Sequence, residues 1–497
     1  MAASGCLTHI QEVRMPNYVY FLFATAALIV GYFVYGAFVA KVFGADPNRP
    51  TPAKTMADGV DYVEMPAWKV WLVQLLNIAG VGPVFGPILG ALYGPTALLW
   101  IVVGAIFAGA VHDYMSGMLS LRYGGCNVPE VVGHTLGNAG KQFMRVFAVV
   151  LLVLVGVVFV TAPAGLLAKL SANTWHIAGL SFGVWVAIIF AYYFLATIMP
   201  IDKIIGRFYP IFGILLIIMA VGVTVGMFVN GTEFYNSVNW GDWSSTHPKK
   251  LPVFPLVFIT IACGALSGFH STQSPLMSRC LGNEKQGQGV FYGGMIAEGF
   301  IGLVWATVGM SFYHGPEALA GALASGGPGN VVMESSLALM GTFGGVLAIL
   351  GVVILPITSG DTAFRAARLT VAEWLNFPQK ELGKRLVLAV PLFAVGVVLS
   401  QIDFNIIWRY FGFANQALAT VMLFAGAAWL AQRGRMHWIC TVPATFMTAV
   451  CVSYICNEPN MGFGMDITIS NIIGAVCAVA GLAAFLLWGR KPVDAEQ

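Results

Sequence analysis

Two interrupted apolar stretches decide the fold of this chain: LLNIAGVGPVFGPILGAL (Leu75–Leu92) and ITIACGALSGFHSTQSP (Ile259–Pro275). Each is apolar enough to lie in a membrane, but glycine and proline occur where the middle of a helix is expected. Such residues free backbone N–H and C=O groups, which protein, water or a ligand must satisfy at membrane depth. A single stretch of this kind is explained by a kink at which small residues let helices pack closely. A pair of them predicts discontinuous helices at a transport site.

The composition around these stretches is that of a polytopic helical membrane protein. Hydrophobic residues make up 58% of the 497 residues and charged residues only 9%, whereas soluble domains carry about 25% charged residues. A bilayer core needs roughly 20 apolar residues per helix, and many apolar runs have that length. We predict 13 membrane segments, at residues 17–42, 67–93, 95–122, 143–169, 176–198, 204–229, 253–280, 289–313, 341–368, 384–400, 404–431, 435–456 and 467–489.

The links between the segments indicate the orientation. The longer links are 43–66, 123–142, 230–252 and 314–340, and the last is predicted to contain a short surface helix around Glu317–Ala324. With the N-terminus outside, most of the 25 lysines and arginines fall in links on the cytoplasmic side. The positive-inside rule therefore predicts an outside N-terminus and a cytoplasmic C-terminus.

The spacing of the two interrupted helices predicts an internal repeat. They are the second and seventh segments, and an odd offset of five inverts the topology of the second unit. We predict a single transporter domain with inverted repeats at 67–229 and 253–431, an extra N-terminal helix at 17–42 and two C-terminal helices within 435–489. This layout resembles the LeuT-like fold of the amino acid–polyamine–cation superfamily.

Ionisable side chains inside predicted segments are candidate functional groups, because placing a charge there costs about 2.5–3.5 kcal/mol. They lie on the third, seventh, eighth and ninth segments. Structural alternatives remain open for several of them: a hydrogen-bonded pair of His112 and Asp113, a buried structural acid at Glu298, an Asp361–Arg365 pair, and interfacial anchoring by Arg365 and Arg368.

We predict a substrate site at the two breaks and an ion-coupling site on the third and ninth segments. The predicted substrate-binding residues are Asn77, Gly80, Gly82, Phe85, Gly268, His270, Ser271 and Gln273. The predicted ion-coupling residues are His112, Asp113, Thr358, Ser359 and Asp361. Hydroxyls and free carbonyls suit Na⁺ and a titratable carboxylate suits H⁺, so the residues favour H⁺ and leave Na⁺ open. Half-helix N-termini favour an anionic substrate group such as a small carboxylate.

Four motifs carry a family resemblance: FGPILGALYGPTALLWIVVGAIFAGAVHDYMSGMLSLRYGG (Phe85–Gly125), PIDKIIGRFYP (Pro200–Pro210), ACGALSGFHSTQSPLMSRC (Ala262–Cys280) and TSGDTAFRAAR (Thr358–Arg368). They resemble the carbon starvation protein A family. The resemblance implies a transporter of the bacterial inner membrane that imports peptides or pyruvate by ion symport. It implicates the residues Gly82–Pro87, His112–Asp113 and Ser267–Pro275.

Other functional classes fit the sequence less well. It contains no HExxH, GxSG or GxGD motif of an intramembrane protease and no GxxxxGK[ST] loop for ATP. A channel would show rings of repeated polar residues along a pore, and the sequence shows two breaks instead. An amino-acid carrier and a subunit of a membrane complex remain alternatives. We expect no cofactor beyond the coupling ion, no structural metal and no nucleic-acid partner.

Overall fold

The computed structural model describes residues 16–59, 61–173, 177, 179–198, 201–379 and 381–489, and all regular secondary structure in this part of the chain is helical. The helices of the first half are α1 Tyr18–Phe43, α2 Pro52–Thr55, α3 Ala67–Ile78, α4 Gly82–Gly90, α5 Pro95–Arg122, α6 Val128–Leu136, α7 Asn138–Asn173, α8 Phe182–Ile198 and α9 Ile201–Val229. Those of the second half are α10 Leu256–Thr260, α11 Gly268–Ser278, α12 Gln288–Ser311, α13 Pro316–Ile349, α14 Leu355–Trp374, α15 Leu382–Leu399, α16 Phe404–Ala431, α17 Trp438–Asn457 and α18 Ile467–Gly489.

Ten helical runs are long and apolar enough to cross a membrane, and a bent pair raises the number to eleven in the described residues. The predicted segment 176–198 corresponds to the shorter apolar helix α8, and the predicted segment 253–280 to the short helices α10 and α11. The total of 13 segments therefore stays a prediction.

Both predicted interruptions are present in the structure. The helices α3 and α4 are separated by residues 79–81 and meet at an angle of 49°. Ala79 leaves the helical region there (φ −89°, ψ 48°), and α4 restarts with Pro83 in its first turn, where the missing N–H of proline costs nothing. Residues 261–267 likewise separate α10 from α11.

The predicted link 314–340 contains more helix than expected. It lies within the run α13, whose first part is the short helix expected around Glu317–Ala324, and a second helical part lies between Gly327 and Gly341. Gly327 (φ 71°) and Gly341 (φ 62°) kink the run, and Pro328 restarts the helix after the first kink, as prolines in a first turn do. The many glycines lowered the apparent helical character of this segment, but only Gly327 and Gly341 occupy the kinks, and the other glycines of the run lie in helical turns.

The most deeply buried helices surround the two breaks. In the most apolar stretch of each helix, 78% of the residues of α12 and of α16 are buried, against 22% of those of α1 and 17% of those of α18. The first and last helices therefore lie at the periphery, where the sequence placed helices outside the repeats. The central helices carry the polar side chains described below.

One end of the bundle, here called the basic end, carries the arginines Arg122, Arg279, Arg365, Arg368 and Arg385. The segment 44–66 crosses this end. The backbone N–H of Asp46 donates to Oε2 of Glu284 (2.7 Å), and Oδ1 of Asp61 lies 3.9 Å from Nη1 of Arg365. The hydroxyl of Tyr62 donates to the carbonyl of Gly124 (3.1 Å). This segment therefore contacts the first predicted repeat through Gly124 and the second through Glu284 and Arg365.

Two of these arginines are not interfacial anchors. The side chains of Arg365 and Arg368 are 1% and 2% exposed, so the anchoring alternative is wrong. Nη2 of Arg365 donates to the carbonyl of Ala196 (2.8 Å), and Nη1 of Arg368 donates to Oε1 of Gln379 (2.6 Å). These acceptors reduce the cost of burying the guanidinium groups.

A second ion-pair group lies on the link between α5 and α7. Glu130 of α6 pairs with Lys141 and with Nη2 of Arg145 (2.7 Å). Burial raises the pKa of the Glu130 carboxyl, but the two cations outweigh burial and hold this pKa below its usual value. The group therefore fixes α6 against the start of α7 while Glu130 is ionised.

Candidate functional site

The second break is fixed by Asn415, near the middle of α16. Its Oδ1 accepts a hydrogen bond from the backbone N–H of Phe269 (2.6 Å), and its amide is also paired with the hydroxyl of Ser267 (3.1 Å). Ser267 itself has extended backbone angles and no side-chain cap bond. Asn415 thus takes the role that a local N-cap residue usually has at the start of a helix. Any anion at this half-helix would compete with the amide oxygen for the N–H of Phe269.

Protein side chains also satisfy carbonyl groups around the second break. Nε1 of Trp100 on α5 donates to the carbonyl of Ile261 (2.9 Å), and Nε2 of Gln416 donates to the carbonyl of Phe258 (2.7 Å). Non-helical backbone at membrane depth is tolerated where such partners exist. The break is therefore a fixed structural feature.

The first break packs directly against the second. A Cβ at Gly82 would collide with Sγ of Cys263, and a Cβ at Gly80 would lie 2.8 Å from the ring of Phe159. The predicted substrate role of Gly82 is therefore joined by a packing role, because only glycine lets the two breaks approach so closely. Asn77, in the last turn of α3, is fully buried and neither amide atom has a hydrogen-bond partner among the described residues.

The ninth predicted segment, α14, meets the first break as the sequence predicted. The hydroxyl of Ser359 donates to the carbonyl of Leu76 (3.1 Å), at the end of α3. The hydroxyl of Thr358 donates to the carbonyl of Leu355 within its own helix (2.8 Å). Asp361 is 1% exposed and lies two residues further along. Hydroxyl and carbonyl oxygens thus converge here, while the ion-coupling role of these residues stays a prediction.

A fully buried network connects three helices near the second break. It consists of His112 and Asp113 on α5, His270 on α11 and Glu298 on α12, and we call it the buried network. Nδ1 of His112 lies 2.8 Å from Oδ1 of Asp113, and Nδ1 of His270 lies 2.9 Å from Oδ2 of the same carboxylate. On the other side of the His270 ring, Nε2 lies 3.4 Å from Oε2 of Glu298. The predicted pair of His112 and Asp113 therefore also ties α5 to α11.

The remaining predicted residues of α11 make local contacts. A Cβ at Gly268 would lie 2.5 Å from the backbone nitrogen of Ala419, so this glycine allows α11 to pack on α16. The hydroxyl of Ser271 donates to the carbonyl of Gly268 (2.7 Å). Nε2 of Gln273 donates to the hydroxyl of Thr272 (3.0 Å), whereas Oε1 of Gln273 has no hydrogen-bond partner among the described residues.

A vestibule leads to the first break from the end of the bundle opposite the basic end. This cavity of about 540 Å³ is lined by Lys169 at the end of α7, the kink of α13 at 326–329, and Asp403 after α15. Phe85 of α4 forms part of its wall, so the vestibule reaches the helix after the break. Its volume is within the range of small-molecule sites, about 300–1,000 Å³.

The structure thus brings most predicted residues into two neighbouring groups, one around Ser359 and the first break and one around His270 and the second. Phe85 is the predicted residue that the vestibule reaches. Asn415 and Lys169 were not predicted, although an Asn-Gln pair inside an apolar segment was a signal for the first. Glu298 was recognised as a buried acid but not placed in the site.

Three atoms of the second group could also bind a metal ion. Sγ of Cys263, a ring nitrogen of His270 and a carboxylate oxygen of Glu298 lie within 4.8 Å of one another. These atom types bind Zn²⁺ in proteins. The same atoms can equally pass a proton along, because imidazole and carboxyl groups both exchange protons. Use as a metal site predicts bound metal in the purified protein, whereas use as a proton path predicts none.

Comparisons with known proteins identify relatives of this chain. The family model described as carbon starvation protein CstA matches residues 17–182, 166–318 and 317–454. An uncharacterized membrane protein of Haemophilus influenzae is 48% identical over 63% of this chain and 96% of its own length. The peptide transporter CstA of Campylobacter jejuni is 26% identical over 95% of this chain and 84% of its own length. The pyruvate/proton symporter BtsT of Escherichia coli is 27% identical over 56% of this chain and 47% of its own length.

A solved structure confirms the predicted fold class. The crystal structure of MhsT in complex with L-phenylalanine matches with a TM-score of 0.57, at 12% sequence identity, over 86% of this chain and 99% of that chain. MhsT has the LeuT fold. At this identity the likeness concerns the fold alone.

Proposed function

We propose, since this chain belongs to the carbon starvation protein CstA family, that it imports a small carboxylate by symport with H⁺. The chain is a multi-pass bacterial membrane protein and a secondary transporter, not an enzyme, as its fold and relatives indicate. The relatives are named for peptide and for pyruvate transport, and both cargoes carry a carboxylate. We place the protein in the inner membrane, with the N-terminus outside and the C-terminus in the cytoplasm.

The vestibule is the observation that carries this proposal. It joins the exposed Lys169 to Phe85 at the first break, so a cation stands at its mouth and a helix N-terminus lies near its bottom. Both favour an anionic group, the first by charge and the second by the helix dipole. Asp403 lines the same space and would favour the amino group of a zwitterionic peptide.

The conformation also fits one step of alternating access. The vestibule is open at the Lys169 end, while the segment 44–66 covers the basic end. A transporter binds its cargo near the middle of the bilayer and then opens the other end. With the N-terminus outside, as proposed above, the vestibule faces outward and this conformation fits the stage at which cargo enters.

Uptake into proteoliposomes tests the proposal. Labelled pyruvate, alanine and dialanine are offered with an inward proton gradient, an inward sodium gradient, or neither. We expect accumulation of dialanine or pyruvate only with the proton gradient. Flux that ignores both gradients would mean a passive pore, and accumulation driven by sodium alone would favour the Na⁺-coupled alternative. Accumulation of alanine alone would favour the amino-acid carrier.

A variant of the vestibule provides a second arm. Lys169→Gln removes the exposed charge, so we expect a several-fold higher KM for an anionic cargo and little change in the maximal rate. Glu317→Gln, an exposed change at the start of α13, is the matched control. An unchanged KM at low ionic strength would remove Lys169 from the entry path, because screening by salt is weakest there.

A further inference from the structure

We propose that Glu298, His270 and Asp113 form the path by which the coupling proton crosses the centre of the protein. This proposal rests on the H⁺ symport proposed above and assigns it to particular atoms. The sequence placed ion coupling on His112, Asp113 and α14. The structure points to an acid on a different helix.

The geometry of the buried network supplies the path. Oε2 of Glu298 lies 3.4 Å from Nε2 of His270, and Nδ1 of the same ring lies 2.9 Å from Oδ2 of Asp113. All three side chains are fully buried. Imidazole connects the two carboxyl groups through opposite nitrogens, which is the arrangement that lets a histidine act as a proton shuttle.

The transfer balances with one proton. The Glu298 carboxylic acid gives its proton to Nε2 of His270, which forms an N–H bond and makes the ring an imidazolium. The ring then loses the proton on Nδ1 to Oδ2 of Asp113 and becomes neutral again. Glu298 is left as a carboxylate and Asp113 as a carboxylic acid, so one proton has moved across the ring. His270 has changed from the Nδ1–H to the Nε2–H tautomer, and it must return to the first tautomer before the next transfer.

Glu298 differs from Glu284, the buried acid described above at the basic end. Glu284 is held by Nη2 of Arg122 at 3.0 Å and by the backbone N–H of Asp46, so its charge is compensated without a proton. The basic group next to Glu298 is the His270 ring, whose Nε2 lies 3.4 Å from Oε2. A fully buried carboxylate is costly, and a proton, held either by Glu298 or by the His270 ring, lowers this cost.

The groups around Glu298 connect the proton to the breaks. The titratable neighbours of Glu298 are Cys263 and His270, with Asp113 and His112 behind the ring. Cys263 lies in the second break and packs against Gly82 of the first. A proton arriving at Glu298 therefore changes the charge next to both half-helices, which is where cargo is expected to bind.

Hydroxyl groups continue from the buried network toward the basic end. The hydroxyl of Ser116 donates to the carbonyl of Asp113 (3.0 Å) and lies 3.2 Å from the hydroxyl of Ser274. One turn further, the hydroxyl of Ser278 donates to the carbonyl of Gly117 (2.7 Å). Polar groups therefore extend from the buried network toward the basic end, although Ser116 and Ser278 bond backbone carbonyls and not the Asp113 carboxyl group.

The test separates proton movement from cargo movement in proteoliposomes. A pH-sensitive dye inside the vesicles reports proton entry during cargo uptake, and exchange of labelled for unlabelled cargo at equal pH reports binding and alternation. For Glu298→Gln we expect at least tenfold less cargo-dependent acidification and accumulation, with exchange retained. Glu317→Gln is the control and should match the wild type. A wild-type ratio of protons to cargo in Glu298→Gln would overturn the proposal.

Further variants and measurements distinguish the remaining outcomes of this test. If Glu298→Gln does not fold, Glu298→Asp replaces it, because the shorter side chain keeps the acid but places it further from His270. Slower coupled uptake with normal exchange in Glu298→Asp supports the path, and wild-type coupling overturns it. Stoichiometric zinc in the purified wild type that is lost in Cys263→Ser would also overturn it, because a metal would occupy the proton-carrying atoms. Absence of cargo-dependent acidification in the wild type would instead refute the proposed H⁺ symport itself.

Discussion

Replacing Asn415 by leucine should destabilise the start of α11, because the amide of Asn415 is the partner of the N–H of Phe269. Leucine has nearly the same size and cannot accept a hydrogen bond. Loss of an N-cap acceptor costs about 0.5–2 kcal/mol, and a buried donor left unpaired costs about 1–3 kcal/mol. These ranges describe the same lost bond, so they do not add. The pairing with Ser267 contributes about 1 kcal/mol more, and we expect a total of about 2–3 kcal/mol.

The assay is thermal unfolding of the purified protein in detergent, combined with cargo exchange. A loss of this size lowers the unfolding temperature by several degrees. Thr420→Val is the matched control, since the Thr420 hydroxyl donates to a carbonyl of its own helix one turn away (2.8 Å) and its loss costs about 1 kcal/mol or less. If Asn415→Leu unfolds at the wild-type temperature and exchanges cargo normally, Asn415 does not hold the break and the capping argument is refuted.

Three further predictions concern other parts of the site and its support. Gly82→Ala should lower both the unfolding temperature and transport, and Cys263→Gly in the same chain should restore both in part, because the added Cβ collides with Sγ and with Cβ of Cys263; no rescue in the double variant would contradict the packing role of Gly82. Ser359→Ala should weaken ion-driven accumulation several-fold while exchange persists, since it removes the hydroxyl bound to Leu76 at the first break; unchanged accumulation would exclude this hydroxyl from coupling. The pKa of Glu130 is lowered in the folded protein, so this carboxylate stabilises the fold above its unfolded pKa, near 4.3, and the stabilisation is lost as pH falls through its folded pKa. The difference in unfolding temperature between the wild type and Glu130→Gln should therefore be present at pH 7 and vanish at low pH. A difference that does not change with pH would contradict this prediction.

The sequence was sufficient for the architecture because membrane solvation imposes strong local rules. Apolar length predicted the helices, and glycine with proline inside an apolar run predicted both interruptions. The spacing of these interruptions predicted the fold class that the comparison with MhsT confirmed. In the segment 314–340 the first short helix was expected, whereas the helical part between Gly327 and Gly341 was missed because glycine kinks separate short helical stretches there.

The site was harder to predict because it depends on contacts between distant helices. His270 and Glu298 could each be recognised as buried ionisable residues, but their 3.4 Å contact follows from the rotation of α11 and α12. The partnership of Asn415 with Phe269 spans 146 positions of the sequence. Arg365 was read as an anchor because charge near a helix end usually reaches the interface, whereas tertiary packing buries it.

The segment 44–66 has a consequence for the speed of the transport cycle. It contacts Gly124 of the first predicted repeat and Glu284 and Arg365 of the second, so the basic end cannot widen until these contacts break. The energy needed to break them adds to the activation barrier for delivering cargo. Weakening the Asp61 contact should therefore speed the return of the empty transporter and also increase proton leakage between cycles. The strength of these contacts thus sets a balance between fast turnover and low leakage.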